Sequence, residues 1–115
     1  PFFFFFFDDL KPFFEKKWVF LWDFNTAIQQ IFLVLLELDV KITPTDKYET
    51  EHSERMIDFR DKIHPKKEAF IEIKPYYQVF EQKFGFIPHL SILDLLFNMG
   101  NEAQLTIGNQ LIKID

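Results

Sequence analysis

Apolar residues in the first third of the chain recur at helical intervals. Phe14, Trp18, Leu21, Ile28, Phe32 and Leu35 are spaced by three, four or seven positions, and Phe20, Phe24, Ala27 and Ile31 form an adjacent stripe. Lys16, Asp23 and Gln30 lie opposite, a heptad apart. This pattern predicts one long helix from Phe13 to about Leu38, with an apolar arc wide enough to be buried on most sides. Ahead of it, Phe2 to Leu10 predicts one short helix. Asp9 is placed to cap the long one, with Pro12 in its first turn, where a missing N–H is harmless.

The pattern then shortens. Val40 to Thr43 is a β-type run closed by Pro44, and the polar stretch Thr45 to Arg55 reads as a solvated loop. Ile63-His64-Pro65 must leave the helical region, because proline pushes its predecessor to extended backbone. Phe70-Ile71-Glu72-Ile73 alternates apolar and polar, as an edge strand does. Pro75 is suited to open a short helix, Tyr76 to Lys83, that Gly85 ends. Phe86 to Leu90 is an aromatic connector. Ser91 then caps a helix through Asn98, with Asp94 completing a capping box and Gly100 as the stop. In the tail, Ala103, Ile107, Leu111 and Ile114 make a helical stripe. The runs Leu105 to Ile107 and Leu111 to Ile114, flanking Gly108-Asn109, fit a hairpin equally. The expected fold class is α-rich mixed α/β, with a long central helix, short strands and C-terminal helices.

Composition narrows the function classes. The chain has 115 residues, enough for one domain, with 48% apolar and 27% charged residues. A net charge of −5 argues against nucleic acid as a partner, since phosphate reading needs clustered Lys and Arg. With no cysteine there is no thiolate metal site and no Cys nucleophile. The runs Phe2 to Phe7 and Ile31 to Leu38 are too short to span a bilayer, which takes about 20 apolar residues. A cytoplasmic protein is expected. Seventeen Phe are present. Six of them are consecutive, Phe2 to Phe7, and cover more than one helical turn, so some face outward in any orientation. This suggests the back end of something longer, whose other part covers them.

Three segments resemble the WbqC-like family of bacterial proteins. The first is Asp8-Asp9-Leu10-Lys11-Pro12-Phe13-Phe14-Glu15-Lys16-Lys17-Trp18 with Leu21-Trp22-Asp23-Phe24-Asn25; the second is Ile63-His64-Pro65-Lys66-Lys67. The third and most specific runs from Lys74-Pro75-Tyr76-Tyr77-Gln78-Val79-Phe80 through Phe84-Gly85-Phe86-Ile87-Pro88 to Leu90-Ser91-Ile92-Leu93-Asp94-Leu95-Leu96-Phe97-Asn98. Family members are longer, with an N-terminal half that carries strands. The resemblance therefore implies that residues 1–115 are the C-terminal portion of a single WbqC-like domain, an incomplete fold whose partner is its own N-terminal, sheet-containing half. It favours a helix in the tail. It also implies a role in bacterial surface polysaccharide (O-antigen) biosynthesis, as an acyl- or aminoacyl (glycine)-transferase acting on a sugar. The alternative is a non-catalytic scaffold or interaction module of a polysaccharide biosynthesis locus.

Candidate chemistry is sparse. His64 with Lys66 and Lys67 joins one titrating imidazole to two cations, a set suited to a nucleotide-sugar pyrophosphate or a carboxylate; the plain alternative is an exposed basic turn. Tyr76, Tyr77 and Gln78 supply hydroxyls and an amide suited to a sugar, against a core or half-buried reading. Of these, Tyr77 and Gln78 are taken as substrate-binding candidates, with Asn98 as a further polar ligand. Asp94 is a possible acid or base, but its spacing from Ser91 explains it better as a cap. His52, His64 and His89 show no metal-ligand spacing, so no metal is expected. The residues point to no particular cofactor.

Overall fold

The computed structural model describes residues 1–51, 54–68 and 71–112. His52, Phe70 and the end of the tail beyond Ile112 lie outside the described residues. The fold is α-rich. Helices α1 (Phe3–Glu15) and α2 (Leu21–Leu35) are followed by strand β1 (Ile71–Glu72), the single-turn helix α3 (Glu81–Phe84), and α4 (Ile92–Met99). A 3-10 turn (Gly100–Glu102), α5 (Ala103–Gly108) and strand β2 (Leu111–Ile112) complete the order. β1 and β2 pair antiparallel, with Ile71 opposite Ile112 and Glu72 opposite Leu111.

The core is small. Phe6 and Leu10, one turn apart on α1, meet Leu95 and Leu96 of α4, Ala103 of α5 and Leu36 beyond α2. Phe6 is 1% exposed and Leu96 0%. The backbone amide of Phe2 donates to the Phe97 carbonyl at 2.8 Å, and the Phe3 ring meets Phe97 edge-on at 5.3 Å. The phenylalanine run is thus docked on α4 by one face. Its other face is open, with Phe4 85% exposed.

The N-terminal helices are divided differently from the sequence pattern. α1 continues through Pro12 to Glu15 instead of yielding to a new helix capped by Asp9. Pro12 forfeits one helical hydrogen bond, which costs about 3 kcal/mol in a helix interior; the docked Phe6–Leu10 face keeps the helix together across it. The chain then breaks where a continuous helix was expected. Trp18 folds back to stack on Phe13 at 6.1 Å and 9°, and its Nε1–H donates to the Phe13 carbonyl at 3.0 Å. That carbonyl lies in the last turn of α1, where helical partners run out. Lys16 extends over the same indole at 4.3 Å. α2 is correspondingly shorter than expected, and none of its residues is fully buried. Leu21, Trp22 and Val34 face outward, so the wide apolar arc is only partly covered.

α2 closes in a Schellman turn. The Leu38 amide bonds to the Leu33 carbonyl at 2.9 Å and the Glu37 amide to Val34 at 3.0 Å. Glu37, not glycine, takes the left-handed position, with φ 56°. Gln104 of α5 donates to the Glu37 carbonyl at 3.0 Å and ties this turn to the C-terminal helices. Val40 to Thr43 forms no strand. Val40 and Ile42 are both exposed, and among the described residues no neighbouring strand offers the ladder partners an isolated run needs.

The edge strand at Ile71 and the solvated loop from Thr45 are present as expected. Arg60 staples that loop. Its guanidinium takes both carboxylate oxygens of Asp58, at 2.7 and 3.0 Å, donates to the Glu49 carbonyl at 2.8 Å and lies over Tyr48 at 4.9 Å. The Asp58 hydrogen bond holds the Arg60 pKa above its ordinary value. The tail is helical to Gly108, and the hairpin reading fails: Leu105 to Ile107 lie in α5, and Leu111–Ile112 pair as β2 with the distant β1 instead.

Candidate functional site

The stretch from Lys74 to Asn98 is organised by side-chain amides and one carboxylate. Gln78 is 6% exposed and pairs with Ile87 in both directions: its Oε1 accepts from the Ile87 amide and its Nε2 donates to the Ile87 carbonyl, each at 2.9 Å. The side chain thereby imitates a strand neighbour. Gln110 repeats the device on Lys74, accepting from its amide at 2.7 Å and donating to its carbonyl at 3.4 Å. These pairings hold residues 73–78 out of a helix. The helix expected over Tyr76 to Lys83 is therefore confined to Glu81–Phe84, ended by Gly85 at φ 70°.

Asp94 is the hub. Its Oδ2 accepts from Tyr76 Oη at 2.6 Å and from Gln78 Nε2 at 3.0 Å, and its Oδ1 from Asn98 Nδ2 at 3.0 Å. Asn98, 8% exposed, also donates to the Asp94 carbonyl at 2.8 Å and accepts from the Val79 amide at 3.0 Å. Ser91 caps α4 alone, its Oγ accepting from Leu93 at 3.2 Å. The capping box is not what occupies the Asp94 carboxylate, which turns inward because three donors wait there. Burial, and the hydrogen bond to Asp94, push the Tyr76 hydroxyl up to about 12, with Gln78 opposing. Every member is satisfied, so this cluster fixes the connector against α4. A cavity of about 140 Å³ adjoins it, lined by Gln78, Asp94, Asn98 and the Phe80–Ile87 turn.

His64 and Lys67 lie elsewhere, in an open cleft of about 580 Å³. Lys62, His64, Lys67, Glu68 and His89 supply its polar groups, and Ile63, Pro65, Ile71, Ile73 and Leu90 its apolar surface. Pro65 turns the chain so that the Lys67 amide reaches the His64 carbonyl at 3.1 Å, and the Lys66 amide donates to His64 Nδ1 at 3.1 Å. Nδ1 is thus the acceptor nitrogen, which leaves Nε2 as the donor of a neutral ring. Lys67 Nζ donates to the Asp61 carbonyl at 2.8 Å. Lys66 is exposed and does not line the cleft.

The sequence candidates thus fall into separate places. Gln78 and Asn98 meet through Asp94, His64 and Lys67 share the cleft, and Tyr77, 48% exposed, takes part in neither. Sequence reasoning passed over Asp94 as a hub and His89 as a cleft residue. Asp94 and Asn98 are one turn apart on an otherwise apolar helix, which was the available signal for an inward polar pair. Nothing local announces His89. Among the described residues, no group of His, Asp and Glu is arranged to hold a metal ion, and no helix is long and apolar enough to cross a membrane.

No curated protein and no solved structure matches the chain. The model of the WbqC-like protein family matches residues 64–106, which covers the basic turn at His64 and the whole Tyr76–Asn98 network but not the Asp8–Asn25 segment. Residues 64–106 are thus similar in sequence to the WbqC-like family, as the second and third motif segments led us to expect.

Proposed function

We propose that this chain acts in bacterial surface polysaccharide biosynthesis and binds an anionic sugar derivative, a nucleotide sugar in the first instance, in the cleft of His64 and Lys67. The reaction class is acyl or aminoacyl transfer to a sugar. The observation that carries this reading is the cleft itself. Lys62 and Lys67, with His64 offering its Nε2–H and Glu68 beside them, adjoin apolar Ile63, Pro65, Ile71, Ile73 and Leu90, so two cations suited to phosphates border surface suited to a sugar or base face. The Tyr76–Asp94 network supports it indirectly, by holding rigid the connector that carries His89 and Leu90 into the cleft. Tyr77, fully outside the network, remains available to a larger substrate.

The test is thermal melting of the full chain with uridine diphosphate N-acetylglucosamine. A rise in melting temperature that disappears in the His64→Ala/Lys67→Ala variant supports the cleft. A rise that survives both substitutions rejects it.

The second reading is a non-catalytic interaction module, and the exposed aromatic face favours it. Phe4, Phe5 and Phe14 on α1, with Phe20, Leu21 and Trp22 at the start of α2, all lie largely open. An apolar surface of this kind marks an interface or an aggregation liability. An N-terminal, sheet-containing half of the same domain is the partner this reading shares with the first. Capture of a defined partner by this face, with no response to the nucleotide sugar, would favour it.

A further inference from the structure

His89 is the one cleft residue with an unusual backbone. Its φ of 61° lies in the left-handed region, which is strained for a residue with a Cβ. Such a conformation persists where the surroundings over-determine it, and it is a pointer to function when it sits on a cavity wall. Both conditions hold. Two residues before it, Ile87 is gripped by Gln78 through its amide and its carbonyl; two residues after it, Ser91 caps α4. The connector is anchored at each end, and His89 is its apex.

The position matters because His89, with Ile73 and Leu90, lines two cavities. One is the His64 cleft; the other is a smaller cavity of about 150 Å³ bounded further by Tyr76, Leu95 and Ile107. These three residues are the shared wall. Among the described residues, the His89 side chain forms no hydrogen bond, so the strain is not offset by an internal contact of the imidazole.

We infer that His89 is a ligand-contacting residue of the cleft, meeting the part of an anionic sugar derivative that extends from Lys62 and Lys67 toward the shared wall. The inference rests on the proposed reading of the cleft as a binding site. A neutral imidazole supplies one donor and one acceptor, which suits a hydroxyl or amide on the sugar more than a phosphate. Lys62 and Lys67 together with His89 then select for a ligand carrying both an anion and a hydrogen-bonding ring.

Isothermal titration of uridine diphosphate N-acetylglucosamine into the full chain tests this, alongside thermal melting. The variants are His64→Ala, His89→Asn and His89→Gly. Asn and Gly both tolerate the left-handed backbone, so they remove the imidazole without adding strain. The expected result is binding by the wild type and a loss of about tenfold in both His89 variants, the effect of one polar contact, with melting temperatures no lower than that of the wild type. If both His89 variants bind as the wild type does while His64→Ala is weakened, His89 has no such role and the cleft reading stands. If the wild type does not bind, both fall. If both His89 variants melt well below the wild type, His89 is a folding residue and the inference is overturned.

Discussion

Replacing Asp94 discriminates a helix cap from a polar hub. In Asp94→Ala the carboxylate leaves three donors behind: the Tyr76 hydroxyl at 2.6 Å, Gln78 Nε2 at 3.0 Å and Asn98 Nδ2 at 3.0 Å. Two of the three keep another acceptor, Gln78 through the Ile87 carbonyl and Asn98 through the Asp94 carbonyl. The Tyr76 hydroxyl has none of these alternatives, so it is the main orphan. A hydrogen bond to a charged group is worth about 1.5–3 kcal/mol, and an unsatisfied buried donor costs about 1–3 kcal/mol. Because the losses overlap, Asp94→Ala should destabilise by about 3–4 kcal/mol. That is a large share of the roughly 5–15 kcal/mol that holds a domain folded. Asp94→Asn retains one acceptor oxygen for Tyr76 and Gln78 but turns an amide toward Asn98, for a loss of about 1–2 kcal/mol. Ser91→Ala removes only the exposed 3.2 Å cap, at about 1 kcal/mol. Equilibrium urea unfolding of the three variants, with Tyr76→Phe and the Tyr76→Phe/Asp94→Ala double variant, measures all of this. The hub requires the order Ala, Asn, then Ser91→Ala, and a double variant less destabilised than the sum of its singles. If Asp94→Ala costs no more than Ser91→Ala, or the cycle is additive, the hub reasoning is refuted.

The remaining predictions are local. The Tyr76 hydroxyl titrates near 10 in the unfolded chain and about 12 in the folded one, so above pH 10 the unfolded state binds fewer protons and stability falls as pH rises toward 12. The contribution is intact below pH 10, and Tyr76→Phe should flatten that part of a stability-versus-pH curve compared with the wild type. Gly100→Ala should lower the melting temperature, because its φ is 57° and a Cβ would meet the Phe2 ring at 2.9 Å; Gly108→Ala, at the end of α5 with nothing within 4 Å, is the control and should leave it unchanged or raise it. Glu37→Gly should stabilise by about 1 kcal/mol in urea unfolding, since glycine occupies the left-handed Schellman position without strain; a loss would mean the Glu37 side chain contributes more than its backbone costs.

Much of the fold follows from short-range rules. The Phe6–Leu10 and Leu95–Leu96 faces, the Ser91 cap and the Gly85 and Gly100 stops each depend on residues within about one turn, and each is where its residue types require. The departures arise where a distant group outbids the local preference. Trp18 satisfies the end of α1 and breaks a helix that periodicity alone would have continued. Gln78 pairs with Ile87, nine residues on, and Tyr76 reaches Asp94, eighteen away, so a stretch with helical signals stays extended and a residue spaced as a cap turns into the core. The site divides in the same way. The basic character of His64 and Lys67 is visible in the chain order, but their cleft is closed by His89 and Leu90 from the far side of the signature. The sequence by itself determined the α-rich character, the Ser91 cap, the Gly85 and Gly100 stops and the family signature, because these are properties of neighbouring residues. Only the tertiary structure decided which polar groups face inward and which line a cavity, because a hydrogen bond between residues far apart in the chain exists only once the backbone has brought them together.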